Sequence, residues 1–145
     1  MEWQEGRIGR VFVVRFDHGE VICNVLTQFI KEKNIRSGMV HFVGALEKTR
    51  CVSGPVVTEL PPKPYWQDRA EAHELVGLGT IAWDGDEPVV HFHAALGREE
   101  SCVLGCIRGE ATVYLLIEAV IYEITGFAVS RVFDERLQIR RLTFE

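Results

Sequence analysis

Apolar residues follow a helical period in one segment of this sequence, whereas the other apolar segments have the composition of strands. This difference is the strongest constraint on the fold. Between residues 21 and 30 the apolar residues recur at the spacing that gives one apolar stripe along a helix. Lys31 and Lys33 suit the negative end of that helix, and Asn34 suits a left-handed stop. The pattern predicts one main α-helix at about residues 20–33.

The other apolar segments are rich in Val, Ile, Phe and Tyr, which favour strands. The first of these segments, residues 9–16, is almost continuously apolar, which predicts a strand covered on both faces. Asp84-Gly85 between two apolar runs predicts a hairpin turn, and Gly44-Ala45 predicts a bulge or a close backbone approach. Residues 60–69, which are rich in proline, predict a loop. The predicted strands are residues 9–16, 38–46, 51–59, 72–83, 88–96, 111–123, 126–133 and 136–144.

Length and composition bound the class of protein. The 145 residues correspond to about one domain, and a mean hydropathy of +0.05 with 47% apolar residues excludes intrinsic disorder. No apolar run approaches the ~18 residues of a membrane span, and the N-terminus has no apolar signal segment. We therefore expect a cytoplasmic protein with reduced cysteines. One helix with about seven or eight strands predicts an α+β fold, a single domain over residues 1–145 with a largely antiparallel sheet.

Charge and missing motifs exclude several functions. A net charge of −5 argues against a protein that holds the DNA backbone through its overall field. We therefore expect at most weak binding of duplex DNA near ~150 mM salt. The sequence has no nucleophile elbow and no phosphate-binding P-loop, and no glycine-rich dinucleotide turn opens a helix.

A candidate metal site begins with His91 and His93, which lie two residues apart in an apolar run. Residues at this spacing share one face of a strand, and paired imidazoles suit zinc and related divalent ions. Gly97 and Gly105 allow the chain to turn and bring the Cys106 thiol back beside them. Three such ligands would leave a fourth position open, as in reactive zinc sites. The alternative is that the rings hydrogen-bond to neighbours or solvent and Cys106 packs as a small buried hydrophobe.

Other polar residues carry weaker signals. His41 lies in the second predicted strand, and His73 and Glu74 begin a later one, where we expect them at the surface. If the metal site is catalytic, Glu74 or His41 is the nearest candidate for a general base.

Three motifs follow one another in a specific order along the chain. They are GRVFVVRFDHGE at residues 9–20, IRSG at 35–38 leading to GAL at 44–46, and HFHAALG at 91–97. Together they resemble the plants-and-prokaryotes-conserved (PPC) domain over nearly the whole chain. The resemblance implies the stand-alone prokaryotic type, with an α+β fold that assembles as a homotrimer. It also implies a DNA-binding label taken from plant relatives, in which the domain follows AT-hooks.

The resemblance bears on the metal site as well. Many prokaryotic relatives carry HxH followed by Gly-Gly-His, and the matching positions here are His91, His93 and Cys106. A cysteine in place of the third histidine favours zinc over harder ions. Two functions are therefore expected. One is a small homotrimeric binding or regulatory module with a zinc site, and the other is a zinc-dependent enzyme that uses a metal-activated water on an unknown small substrate.

Overall fold

Eight strands and one helix form the described part of the chain, residues 1–144 of a computed structural model. Apart from a short parallel contact between β4 and β7, the strands pair antiparallel. In chain order the elements are β1 Arg7–Asp17, α1 Ile22–Lys33, β2 Gly38–Pro55, β3 Pro64–Arg69, β4 His73–Asp84, β5 Glu87–Arg98, β6 Ser101–Thr125, β7 Val129–Asp134 and β8 Ile139–Phe144.

The sheet runs in the order β3-β2-β6-β5-β4-β7-β8, and β1 pairs with β6. Strand β2 pairs with both β4 and β6, and β6 pairs in turn with β5, which pairs with β4. These four central strands therefore pair in a closed ring. The architecture is mostly β with a single short helix in the described residues, so the α+β prediction holds in this looser sense.

The helix confirms the pattern that predicted it. Its buried residues Ile22, Leu26 and Ile30 recur every four positions and pack into the core. Asn34 ends the helix in the left-handed conformation, and Lys31 lies in the last turn. No helix in residues 1–144 is long and apolar enough to cross a membrane.

The bulge predicted at Gly44 is present. The register of β2 against β6 shifts between Gly44 and Ala45. At Gly44 φ is +149°, and a Cβ built there would lie 2.4 Å from the Leu116 carbonyl oxygen. This close backbone approach requires glycine.

Three predictions about strands are wrong. Residues 38–46 and 51–55 belong to one long strand, β2, because the chain passes through Gly44 and the following residues without turning back, and residues 56–59 lie outside any strand. Pro64–Arg69 is an edge strand on β2 and not a loop, which proline tolerates at an edge. Strand β1 is not covered on both faces, since Val11 and Val13 are exposed.

Candidate metal centre

Strand β5 positions the two histidines as the period of two predicts. His91 and His93 point to the same face of the strand, and their Nε2 atoms lie 3.2 Å apart. Cys106 on β6 lies directly opposite His93 in the register, so its side chain belongs to the same face. The ligand atoms of all three residues lie within 4.8 Å of one another.

The turn that brings Cys106 back is not at Gly97, as the sequence suggested. It lies at Glu99 and Glu100, between the paired residues Arg98 and Ser101, and Glu99 adopts φ +53°. This two-residue connection fixes the register of the hairpin. A one-residue slip would turn the Cys106 thiol to the other face.

The distances fit a tetrahedral metal. Two imidazole nitrogens bound at ~2.0–2.1 Å with tetrahedral angles lie about 3.3 Å apart, close to the 3.2 Å between His91 and His93. The Cys106 sulfur would have to move by about 1.2 Å or less toward the rings, because the ligand atoms lie within 4.8 Å of one another and a tetrahedral nitrogen–sulfur separation is about 3.6 Å at zinc bond lengths. The three side chains converge as predicted, and their binding of an ion stays a prediction.

The site is half-enclosed and electropositive. Burial lowers the pKa of His91 to about 4, and the charges of Arg131 and Arg108 act in the same direction. Burial raises the pKa of the Cys106 thiol, while the charge of Arg108 opposes that shift. His93 is exposed at the mouth of the site. A neutral His91 ring has its nitrogen lone pair free for a metal across the physiological pH range.

An open cavity of about 710 Å³ adjoins His91, and we call it the arginine cavity. It lies where the β7–β8 hairpin folds over the outer face of β4 and β5, and Arg131 donates a hydrogen bond to Thr80 across that junction. Its lining is Asp84, Glu87, Val89, His91, Arg108, Arg131, Phe133, Gln138, Ile139 and Arg140.

Sequence reasoning missed the two arginines nearest the site. Arg108 follows Cys106 by two positions on β6, so the period of two could have placed it on the same face. Arg131 gave no comparable signal, because only the packing of the hairpin on the sheet brings it there.

The remaining candidates lie outside the cluster. The exposed His41 ring packs edge-on against Tyr122, with ring centroids 5.6 Å apart. Glu74 is exposed, but the prediction that His73 lies at the surface is wrong: it is buried, with its Nδ1 2.7 Å from the Glu71 carbonyl oxygen.

Solved structures of several proteins share this fold. A metal-containing protein of Archaeoglobus fulgidus is 22% identical, with 99% of each chain covered and a TM-score of 0.86. A plant- and prokaryote-conserved protein of Pyrococcus horikoshii is 23% identical, covering 100% of this chain and 97% of its own, with a TM-score of 0.83. A candidate DNA-binding protein of Bacteroides thetaiotaomicron is 21% identical, covering 96% and 97%, with a TM-score of 0.81.

Likeness at this level of identity shows the fold alone. Among curated proteins, none matches the sequence significantly. The sequence model of one family, the Plants and Prokaryotes Conserved (PCC) domain, matches residues 3–125. This is the family that the three sequence motifs resemble, and the match covers most of the chain. The protein therefore belongs to the Plants and Prokaryotes Conserved domain family.

Proposed function

We propose that this protein is a small binding or regulatory module that holds a divalent metal ion, zinc, through His91, His93 and Cys106. The observation that carries the proposal is the convergence of two Nε2 atoms 3.2 Å apart with a thiol inside a 4.8 Å cluster. The similar Archaeoglobus fulgidus protein, named as metal-containing, supports a metal in this fold.

The donor set supports zinc in particular. Two imidazoles and a thiolate are borderline-to-soft ligands, which suit zinc better than magnesium or calcium. A zinc ion held by three protein ligands supplies Lewis acidity at an open fourth position.

Metal analysis of untagged protein purified without added zinc tests this function. We expect close to one zinc per chain. Affinity should fall by about tenfold per pH unit as the pH is lowered from about 8 to about 6, because binding displaces the Cys106 proton. His91 adds little to this slope, since its lowered pKa of about 4 keeps the ring unprotonated there. The Cys106→Ser variant should bind zinc more weakly and lose most of this pH dependence. A native protein that is purified without metal and binds no added zinc would contradict the proposal.

The alternative is a zinc-dependent enzyme acting on an unknown small substrate, which the arginine cavity beside His91 favours. The predicted general bases, Glu74 and His41, lie outside the cluster. Asp84 and Glu87 are the carboxylates that line the cavity, but they pair with Arg140 and Lys31. A site without a free base supports the binding module better than the enzyme.

We also propose that the protein assembles as a homotrimer. Four cross-strand neighbours on the outer face form what we call the apolar row: Val43, Val76, Ala95 and Leu104. Val43, Val76 and Leu104 are each more than half exposed, and so is the nearby Leu78. Contiguous exposed apolar side chains of this kind are typical of an interface. The row borders His93 and Cys106, so a second copy seated on it would lie at the edge of the metal site.

Light scattering tests the trimer. We expect about three times the 16.5 kDa chain mass at micromolar concentration. Val76→Glu should yield monomers, because a charge at an apolar contact would be desolvated without a partner. Val132→Glu, on the exposed part of the β7–β8 hairpin, is the matched control and should remain trimeric. A monomer mass for the unmodified protein would contradict the assembly.

DNA binding is the weaker proposal for this chain. The name of the Bacteroides thetaiotaomicron protein suggests it. This chain carries a net charge of −5, and its sequence holds no AT-hook. DNA is a polyanion, and a protein with this net charge offers it little electrostatic binding energy.

A further inference from the structure

The arginine cavity contains a buried positive charge without an acidic partner. Arg131 is only 6% exposed. Its Nη2 donates to Thr80 Oγ1 at 2.6 Å and its Nη1 to the Arg140 carbonyl oxygen at 3.4 Å, both neutral groups. Its Nε has no hydrogen-bond partner, and no ion pair within residues 1–144 includes it. Buried cations are normally paired, because desolvation penalises a lone ion.

A second cation faces the same cavity. Arg108 lines it and takes part in no ion pair in the described part of the chain. Arg108 and Arg131 line this one cavity, and burial together with the nearby Arg108 charge lowers the pKa of Arg131, so the two positive charges repel each other there. An anion between the two guanidinium groups would relieve that repulsion.

The acidic side chains of the cavity each pair with a cation other than Arg131 and Arg108. Asp84 pairs with Arg140, and Glu87 pairs with Lys31 on the helix. Apolar side chains complete the lining, with Phe133 and Ile139 each about half exposed. The cavity thus offers a cationic end and an apolar wall, and its volume of about 710 Å³ lies in the range of small-molecule sites.

We propose that the arginine cavity binds the carboxylate or phosphate group of a small ligand, with Arg131 and Arg108 as donors and the apolar wall against the ligand's body. Guanidinium groups suit this role because their paired N–H groups match the geometry of both oxyanions. The inference goes beyond the proposed function, since the anion site requires no metal. A ligand held there would nonetheless place its anionic group beside His91, at the edge of the metal centre.

The test is a titration with benzoate, phenyl phosphate and the neutral analogue benzamide, followed by the Nε–H signals of the arginines in nitrogen-15 NMR. We expect at least one anion to bind about tenfold or more tightly than benzamide. The anion that binds more tightly identifies the ligand class as carboxylate or phosphate.

Three variants locate the binding. Arg108→Gln and Arg131→Gln should each weaken the tighter anion by about tenfold or more. The Arg108 side chain is exposed, so its removal should leave the fold intact. Arg141→Gln is the control, because Arg141 lies on the same hairpin but pairs with Asp134 outside the cavity. It should bind the anion as the unmodified protein does.

Zinc-loaded and chelator-treated samples separate this proposal from the metal proposal. Anion binding in both samples supports the site whether or not zinc is retained. Binding of no anion above the level of benzamide would overturn the anion site, even in protein that holds zinc. Equal binding by Arg108→Gln, Arg131→Gln and the unmodified protein would also overturn it.

Discussion

Replacing His91 and His93 together by alanine should abolish the metal content of the protein. Two of the three ligands would then be missing, and a lone Cys106 thiolate cannot hold zinc against water. The fold should persist, since neither ring belongs to the hydrophobic core. We expect the free energy of unfolding of the metal-free protein to change by less than about 1 kcal/mol. Elemental analysis and urea denaturation of the same preparations measure both effects.

His41→Ala is the matched control for this double variant. His41 is also an exposed strand histidine, and its partner in the register, Leu78, lies opposite His93. Its replacement should leave the zinc content unchanged. Full zinc content in the double variant, or its loss from His41→Ala, would show that the ion binds elsewhere.

Gly44→Val should cause the largest loss of stability of any single change considered for this fold. The new side chain would have to adopt φ near +149° with its Cβ 2.4 Å from the Leu116 oxygen and 2.7 Å from the Ile117 Cα. Backbone strain and overpacking together should cost about 3–5 kcal/mol. This is a large part of the ~5–15 kcal/mol that stabilises an ordinary domain. Denaturant unfolding measures it.

Gly97→Ala is the control for that experiment. Gly97 lies in β5 of the same sheet, but a Cβ there would meet nothing within 4 Å. We expect a change below about 1 kcal/mol. A Gly44→Val variant as stable as Gly97→Ala would mean that β2 and β6 do not approach at this bulge.

Local patterns predicted the parts of the fold that depend on neighbours in sequence. The helix followed from one apolar stripe and the left-handed Asn34. The hairpin was predicted from the Asp84-Gly85 pair, and its turn residues are Gly85 and Asp86, one position further on. The bulge at Gly44 was predicted from a glycine inside a strand. Each of these features is specified within a few residues, so a single sequence is sufficient to predict it.

Features that depend on tertiary packing could not be predicted from the sequence. The two faces of β1 looked equally apolar, and only its place in the sheet leaves Val13 exposed. The turn at Glu99 lacks the usual glycine or asparagine, so its register could not be derived from the sequence. The position of Arg131 depends on how the β7–β8 hairpin folds over the sheet, which no local pattern encodes.

The site was predictable to the extent that strand periodicity defines it. Alternation placed His91 and His93 on one face, and the two-residue turn then set Cys106 opposite His93. Arg108 lies two residues after Cys106, so the same alternation of strand faces could also have placed Arg108 at the site. The arginine cavity could not be predicted from the sequence, because its lining residues come from several strands that only the three-dimensional structure brings together.

Zinc K-edge X-ray absorption on the purified, untagged protein tests the metal centre most directly, because it reports the type and distance of each ligand. Coordination by His91, His93 and Cys106 predicts two nitrogen scatterers at ~2.0–2.1 Å and one sulfur at ~2.3 Å, with the fourth position filled by a light atom. The sulfur contribution should disappear in Cys106→Ser. A spectrum of the unmodified protein without a sulfur scatterer, or with two or more, would contradict this three-ligand centre.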